Sequence, residues 1–360
     1  MTEHSTIKPR AGVLNISPYV GGSSHIEGAN RVYKLSANEN PHGPSTHATA
    51  AFADMSGNLA LYPEGQEPLA RTIADVHGIE ADRIVLGAGS DEIISLLCQA
   101  YTTAGDEVLY SEHGFLMYKL SALAAGATPV TAPETDLTVN VDALIAAMNA
   151  RTKLVFVANP NNPTGTMIGN ADLARLADAL PPQALLVIDA AYAEYLRPSD
   201  DDGAKELART RDNVMMTRTF SKIYGLGGLR LGWAYAPSHV CDIFQRVRGP
   251  FNVNAPALAA GIAAMRDQAY VEKCRVTNEV WRDWLAREIA AAGFGVVPSK
   301  GNFLLVHVGE NVAALETHLK SRGLIGRRVD AYGLAGYFRI SVGDEEACRL
   351  VAEAVASFPK

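Results

Sequence analysis

Three short apolar runs, Leu154–Val157, Leu185–Ile188 and Val214–Thr217, begin 31 and 29 residues apart. That interval fits a strand, a crossover helix and the next strand, and it points to an α/β fold with a largely parallel sheet. Between the first two runs, Ala171–Leu180 sets Leu173, Leu176, Ala177 and Leu180 at helical spacing and is closed by Pro181 and Pro182. Upstream, Arg83–Leu86 and Glu107–Tyr110 read as two more strands with a helix over Asp91–Ala100 between them. Runs that stay apolar rather than alternating predict strands covered by helices on both faces.

Past Pro256 the pattern changes. Ala257–Ala292 is almost all helix former, and strand-like NFLLVHV (302–308), a helix near Ala313–Ser321, strand-like YFRISV and a last helix follow. A second, smaller α+β domain is expected there, as a length of 360 residues also suggests at roughly 150 residues per domain. The expected division is an N-terminal segment over 1–40 that joins the small domain, a large domain over 41–255 and a small C-terminal domain over 256–360.

Charge and cysteine usage narrow the function classes. The 32 Lys and Arg against 39 Asp and Glu leave a formal charge of −7, which disfavours nucleic acid or an anionic membrane as partner. Cys98, Cys241, Cys274 and Cys348 form no CxxC pair, and the histidines form no HxH or HExxH pattern, so reduced thiols and no metal site are expected. The leading MTEHSTIKPRAG lacks the apolar stretch of a signal peptide, and no run of some 18 apolar residues occurs. Together these predict a cytoplasmic protein.

The segment with most chemistry is TFSKIYGLGGLRLGW (219–233), directly after the third apolar run. A lone lysine is nearly always a solvated charge. Here Lys222 stands among Thr219, Ser221 and Arg230, and Gly225, Gly227, Gly228 and Gly232 let backbone approach a ligand closely. Hydroxyls with an arginine suit a phosphate, and an amine beside a phosphate site suits a Schiff base to pyridoxal 5'-phosphate (PLP).

PLP makes further demands that the sequence can meet. Gly87–Glu92 leaves a strand and opens a helix, so the amides near Ser90 and Asp91 can receive the phosphate, although the same pattern also makes an ordinary turn with acidic caps. Asp189, just past an apolar strand, can keep the pyridine nitrogen protonated or can merely cap a helix. NPNNPTG (159–165) can be a simple turn, or can bring Asn162 to the ring hydroxyl together with Tyr192.

NNPTG, then DxxY, then SK with an arginine eight residues on: these motifs in this order resemble the class I and II aminotransferases among fold-type I PLP enzymes. LSANENPHGPS (35–45), LYPEGQEPL (61–69), GAGSDEII (87–94), VRGPFNVN (247–254) and YFRISVG (337–343) resemble its histidinol-phosphate branch, and the likeness runs from about Pro18 to the C-terminal helix. It implies a large domain with a mostly parallel mixed sheet between helices plus a smaller α+β domain.

The resemblance also implies roles. Lys222 would bond the cofactor aldehyde, Asp189 would pair with the ring nitrogen, and Asn162 and Tyr192 would contact the ring oxygen. Ser90, Asp91, Thr219, Ser221 and Arg230 would hold the phosphate, with Tyr62 donated by a second subunit in a homodimer with shared sites. Arg339 would receive the substrate's anionic group, Arg327 would assist with a substrate phosphate, Asn38 would join the substrate pocket and Tyr19 would close over it. Phe115 stands where many relatives carry a stacking tyrosine and keeps the stacking without the hydroxyl. Arg328 directly follows Arg327, so either can face inward.

The implied reaction passes an amino group between glutamate/2-oxoglutarate and histidinol phosphate/imidazole-acetol phosphate. An aromatic amino acid aminotransferase, with a pocket of Tyr19 and Tyr118, or a threonine-phosphate decarboxylase would share the machinery. A dinucleotide fold fails because Glu92 stands at the sixth position of GxGxxE. A PLP-binding effector domain of a transcription regulator would need a DNA-binding module for which this chain has no room.

Overall fold

The computed structural model describes residues 7–17, 25–27, 31–201 and 203–359. Its large sheet has seven strands. In spatial order they are Ile84–Gly87, Gly232–Tyr235, Val214–Thr219, Leu185–Asp189, Thr152–Ala158, Glu107–Ser111 and Thr128–Ala132. Only Gly232–Tyr235 runs antiparallel to its two neighbours, so the sheet is mixed but mostly parallel.

The unbroken apolar runs follow from burial on both faces. Leu154, Phe156 and Ala158 pack into one helix layer while Val155 and Val157 pack into the other, and Leu185 with Val187 and Leu186 with Ile188 divide the same way. Each such fully buried side chain contributes roughly 1.5–3 kcal/mol by leaving water. The helix expected over Ala171–Leu180 spans Asn170–Asp178, and that expected over Asp91–Ala100 spans Ser90–Tyr101.

A second, four-stranded antiparallel sheet has the order Gly295–Val297, Phe303–His307, Leu334–Ser341 and Arg327–Val329. Its core unites Leu304, Val306, Phe338 and Ile340 with Leu285 and Ile289 of helix Gln268–Ala291 and Val351 and Val355 of helix Glu345–Ala356. The long helix-forming stretch is two helices, Ala255–Arg266 and Gln268–Ala291, because Asp267 leaves helical geometry and its carboxylate accepts from the Tyr270 N–H to start the second. From the N-terminal side, Tyr33–Lys34 pairs in parallel with Leu324–Ile325, and Leu35 joins the core beneath the small sheet. The chain then runs through Ser36–Asn40 toward the large sheet.

Candidate active site

The parallel strands deliver their chemistry at their carboxyl ends. Thr152–Ala158 leads into the Asn159–Gly165 loop, Leu185–Asp189 ends on Asp189, and Val214–Thr219 ends three residues before Lys222. They open on one cavity of about 350 Å³, completed by Arg327 and Arg339 from the small sheet. Of the residues expected at a site, all but Tyr19, Tyr62 and Tyr118 line it.

Asp189 forms the floor and is 5% exposed. The Tyr118 hydroxyl donates to its Oδ2 at 2.8 Å and the Thr217 hydroxyl to its Oδ1 at 3.0 Å. Burial pushes its carboxyl above the usual range, and the two hydroxyl donors pull the other way. Both donors are neutral, so a cation facing the carboxylate would relieve the cost of burying it. Tyr118, expected in a substrate pocket, is instead fully buried beneath the cavity and stacks on Phe156 with centroids 4.6 Å apart. The expectation failed because Tyr118 sits on the inward face of helix Leu116–Ala125, one turn past Phe115. Phe115 itself lines the cavity and meets Tyr118 edge-on.

The Lys222 amine donates to the carbonyl of Ala37 at 3.1 Å and lies 5.8 Å from the Tyr192 ring centroid. Desolvation, then the charge of Arg339, pulls its pKa down to about 8. The Tyr192 hydroxyl accepts from Asn38 Nδ2 at 3.0 Å, and burial pushes the phenol up to about 12. Asn38 has a left-handed backbone (φ 56°) and is fixed on three sides: its N–H donates to Ser341 Oγ at 2.9 Å, its Oδ1 accepts from the same hydroxyl, and its carbonyl accepts from Asn302 Nδ2 at 3.0 Å.

Opposite Asp189, helix Ser90–Tyr101 points its N-terminus at Arg230. Gly89 adopts φ 85°, and a Cβ there would run into the Arg230 guanidinium, so the turn before the helix needs glycine for both conformation and space. Arg230 donates to Ser221 Oγ and to the Gly227 carbonyl, each at 3.1 Å, and to Asp91 Oδ2 at 3.0 Å. Glu92 turns back to accept from the Ala88 N–H at 2.6 Å and Asn252 Nδ2 at 2.7 Å. One acid is thus paired with arginine and the other faces away, which removes the conflict between acidic caps and an incoming phosphate.

At the other end of the cavity, Arg339 donates one Nη to Asn162 Oδ1 and the other to the Ser36 carbonyl at 2.8 Å. Arg327 is its partner in the strand register and lines the cavity, whereas Arg328 makes a double contact with Asp330 at 2.9 and 2.8 Å. Arg327 is therefore the inward residue of the pair. Tyr62 is 78% exposed and stacks on Phe251 away from the cavity. Tyr19 lies outside the described residues.

The sequence model of the aminotransferase class I and II family matches residues 30–355. The chain belongs to that family. This aminotransferase is 54% identical to the histidinol-phosphate aminotransferase of Dinoroseobacter shibae and 53% identical to that of Ruegeria sp. (strain TM1040), each over 98% of both chains. It shares the fold of the Sinorhizobium meliloti histidinol-phosphate aminotransferase, solved in complex with pyridoxal-5'-phosphate, at a TM-score of 0.84 and 28% identity over 91% of this chain and 92% of that one. The fold of this aminotransferase is the fold-type I arrangement of PLP transferases, with a mixed sheet flanked by helices.

Several contributors in this aminotransferase escape a reading by motif. Thr217 pairs in register with Asp189, two residues before Thr219 and on the same side of its strand, a period-two signal that could have found it. Lys34, Ala37 and Tyr332 also line the cavity. Ala37 acts through its backbone carbonyl and Lys34 through a strand of two residues, which leave no signature.

Proposed function

We propose that this aminotransferase is a PLP-dependent histidinol-phosphate:2-oxoglutarate aminotransferase of histidine biosynthesis. The observation that carries the reading is the pairing, in one cavity, of a buried carboxylate whose hydrogen-bond donors are neutral with a lysine amine drawn down to about 8, beside two arginines paired in strand register. The identity to histidinol-phosphate aminotransferases over nearly the whole chain supports the choice of substrate.

The residues fit PLP. Asp189 offers the ring nitrogen a buried carboxylate whose bonded neighbours are all neutral, the helix N-terminus at Ser90 with Thr219, Ser221 and Arg230 offers donors to the phosphate, and Phe115 offers a face to the ring. Bound there, PLP supplies an aldehyde that bonds amines and a cationic ring that takes up the electrons released at the substrate's α-carbon.

Every other step belongs to the chain. Asp189 holds the proton on the ring nitrogen, and Asn162 and Tyr192 direct hydrogen bonds at the ring oxygen. Lys222 Nζ carries the proton between the α-carbon and the cofactor, a task helped by a pKa near neutrality. Arg339 holds the α-carboxylate of glutamate or the phosphate of histidinol phosphate, and Arg327 assists with the phosphate. Asn38 belongs to the substrate pocket, and Tyr19 closes over it. A planar guanidinium pairs with carboxylate and phosphate alike, which suits a site that takes two dissimilar anions in turn.

Residues 41–255 form most of the cofactor-binding domain, but the expected boundary at 256 falls too early, because Ala257, Leu258, Ala260, Ala264 and Met265 of helix Ala255–Arg266 pack into the large core. The chain beyond that helix, with Tyr33–Leu35 of the N-terminal segment, builds the smaller domain. The enzyme works in the cytoplasm as a homodimer in which Tyr62 completes the phosphate pocket of a second copy of this chain. Exposed Phe52, Leu59, Leu61, Tyr62 and Phe251 supply apolar surface for that contact. The deciding experiment is single-turnover conversion of the PLP-loaded enzyme with histidinol phosphate, glutamate and phenylalanine in turn. Fast reaction with the first two supports the reading, and phenylalanine outpacing histidinol phosphate replaces it with an aromatic amino acid aminotransferase.

A further inference from the structure

Lys34 lines the same cavity as Arg327 and Arg339, although no motif drew attention to it. It ends the short strand Tyr33–Lys34, which runs parallel to Leu324–Ile325 with Lys34 opposite Ile325. The Leu35 N–H donates to the Ile325 carbonyl at 2.7 Å, and the Ser36 carbonyl accepts from Arg339. Residues 34–36 thus run beside the backbone that leads into Arg327, whose register partner is Arg339.

The two arginines alone leave a phosphate monoester short of donors. A phosphate monoester near neutral pH carries close to two charges on three terminal oxygens. Both Nη atoms of Arg339 already donate to Asn162 and Ser36, so its fork is partly spent. The Lys34 amine now contacts Glu39 Oε1 at 2.7 Å, with the two side chains 36% and 50% exposed. A pair so open to water contributes little, and a charge-assisted bond to phosphate readily competes with it.

On the reading that histidinol phosphate is the substrate, we infer that Lys34 is a third cationic ligand of the substrate phosphate, held by Glu39 until the phosphate arrives. A compact ammonium at the end of a four-carbon stem can make that exchange without movement of either sheet. Glu39 then acts as a competitor whose removal favours the phosphorylated substrate. The carboxylate of glutamate that takes the phosphate's place carries one charge on two oxygens and asks for fewer donors, so glutamate depends on Lys34 less.

The test compares Lys34→Met, Lys34→Arg and Glu39→Gln with the parent, all loaded with PLP. It reads KM and kcat for histidinol phosphate and for glutamate, and the inhibition constant of inorganic phosphate against glutamate. Lys34→Met should raise the histidinol-phosphate KM and the phosphate inhibition constant by about tenfold, the worth of one such bond, while kcat falls less than about threefold. Lys34→Arg should restore most of the loss, and Glu39→Gln should lower the histidinol-phosphate KM. Lys34→Met shifting both substrates equally, acting on kcat alone or changing nothing would overturn the role of Lys34 and leave the proposed function standing. A parent enzyme that turns over glutamate but not histidinol phosphate would sink both.

Discussion

Tyr118 and Asp189 meet at 2.8 Å beneath the cavity, a phenol donating to a carboxylate that has no charged partner among its bonded neighbours. The bond ties the electrostatics of the cavity floor to a helix whose other side is core. Tyr118→Phe keeps the ring stacked on Phe156 and deletes only the donor. Loss of a hydrogen bond to a charged group, about 1.5–3 kcal/mol, should weaken PLP retention by about tenfold or more, read by titrating apo protein with PLP. Retention at the parent level would show that the bond does not orient Asp189.

Lys222→Ala should abolish turnover and leave the fold intact, as judged by circular dichroism and the melting temperature. The pH dependence follows from the same residue. Its amine is pulled down to about 8, so the unprotonated, nucleophilic form rises through that pH. The rate at which apo protein captures PLP should climb about tenfold per pH unit below 8 and level off above it. Between about pH 8 and the ordinary lysine range, the unfolded chain keeps a proton that the folded chain releases, so this group adds stability as pH rises there. A capture rate still climbing at pH 10 would contradict the depressed value.

Arg327 and Arg328 are neighbours with opposite assignments. Arg327→Ala should raise KM for histidinol phosphate by roughly ten- to a hundredfold and affect glutamate less, whereas Arg328→Ala should stay within about twofold for both, because an exposed pair such as Arg328–Asp330 is worth little. Equal losses for both substrates in Arg327→Ala would refute its phosphate role.

His77 predicts acid sensitivity far from the cavity. Its ring tilts against Trp233 at 5.1 Å, and its Nε2 is buried without a hydrogen-bond partner among the described residues. Burial, aided by the charge of Arg218, lowers its pKa to about 3. The unfolded chain therefore takes up a proton near pH 6.5 that the folded chain refuses until about 3, and stability should fall as pH drops through that window. His77→Phe should flatten this part of the melting-temperature profile, and an unchanged slope would assign acid sensitivity to other groups.

The legible parts of fold and site share one property: each is written in side chains at fixed spacing. The runs at 154, 185 and 214 announce parallel strands because both their faces are buried, and Asp189 and Lys222 stand at strand ends, where such sheets bind ligands. Gly232–Tyr235 was hidden because it shares its segment with the glycine-rich loop and its partners are set by tertiary pairing. Tyr118 lies beneath the floor rather than in the pocket because one turn of helix decides which way a tyrosine faces, and its spacing from Phe115 does not show the direction. Which of Arg327 and Arg328 faces inward was settled only by strand register and the nearby Asp330.

Consecutive carbonyls at Ser36 and Ala37 hold Arg339 and the Lys222 amine. The proposed anion-holding group and the proposed proton carrier are therefore both anchored on two adjacent peptide units of one segment. The alignment of catalysis with binding thus rests on a length of main chain that contributes no reactive side chain of its own.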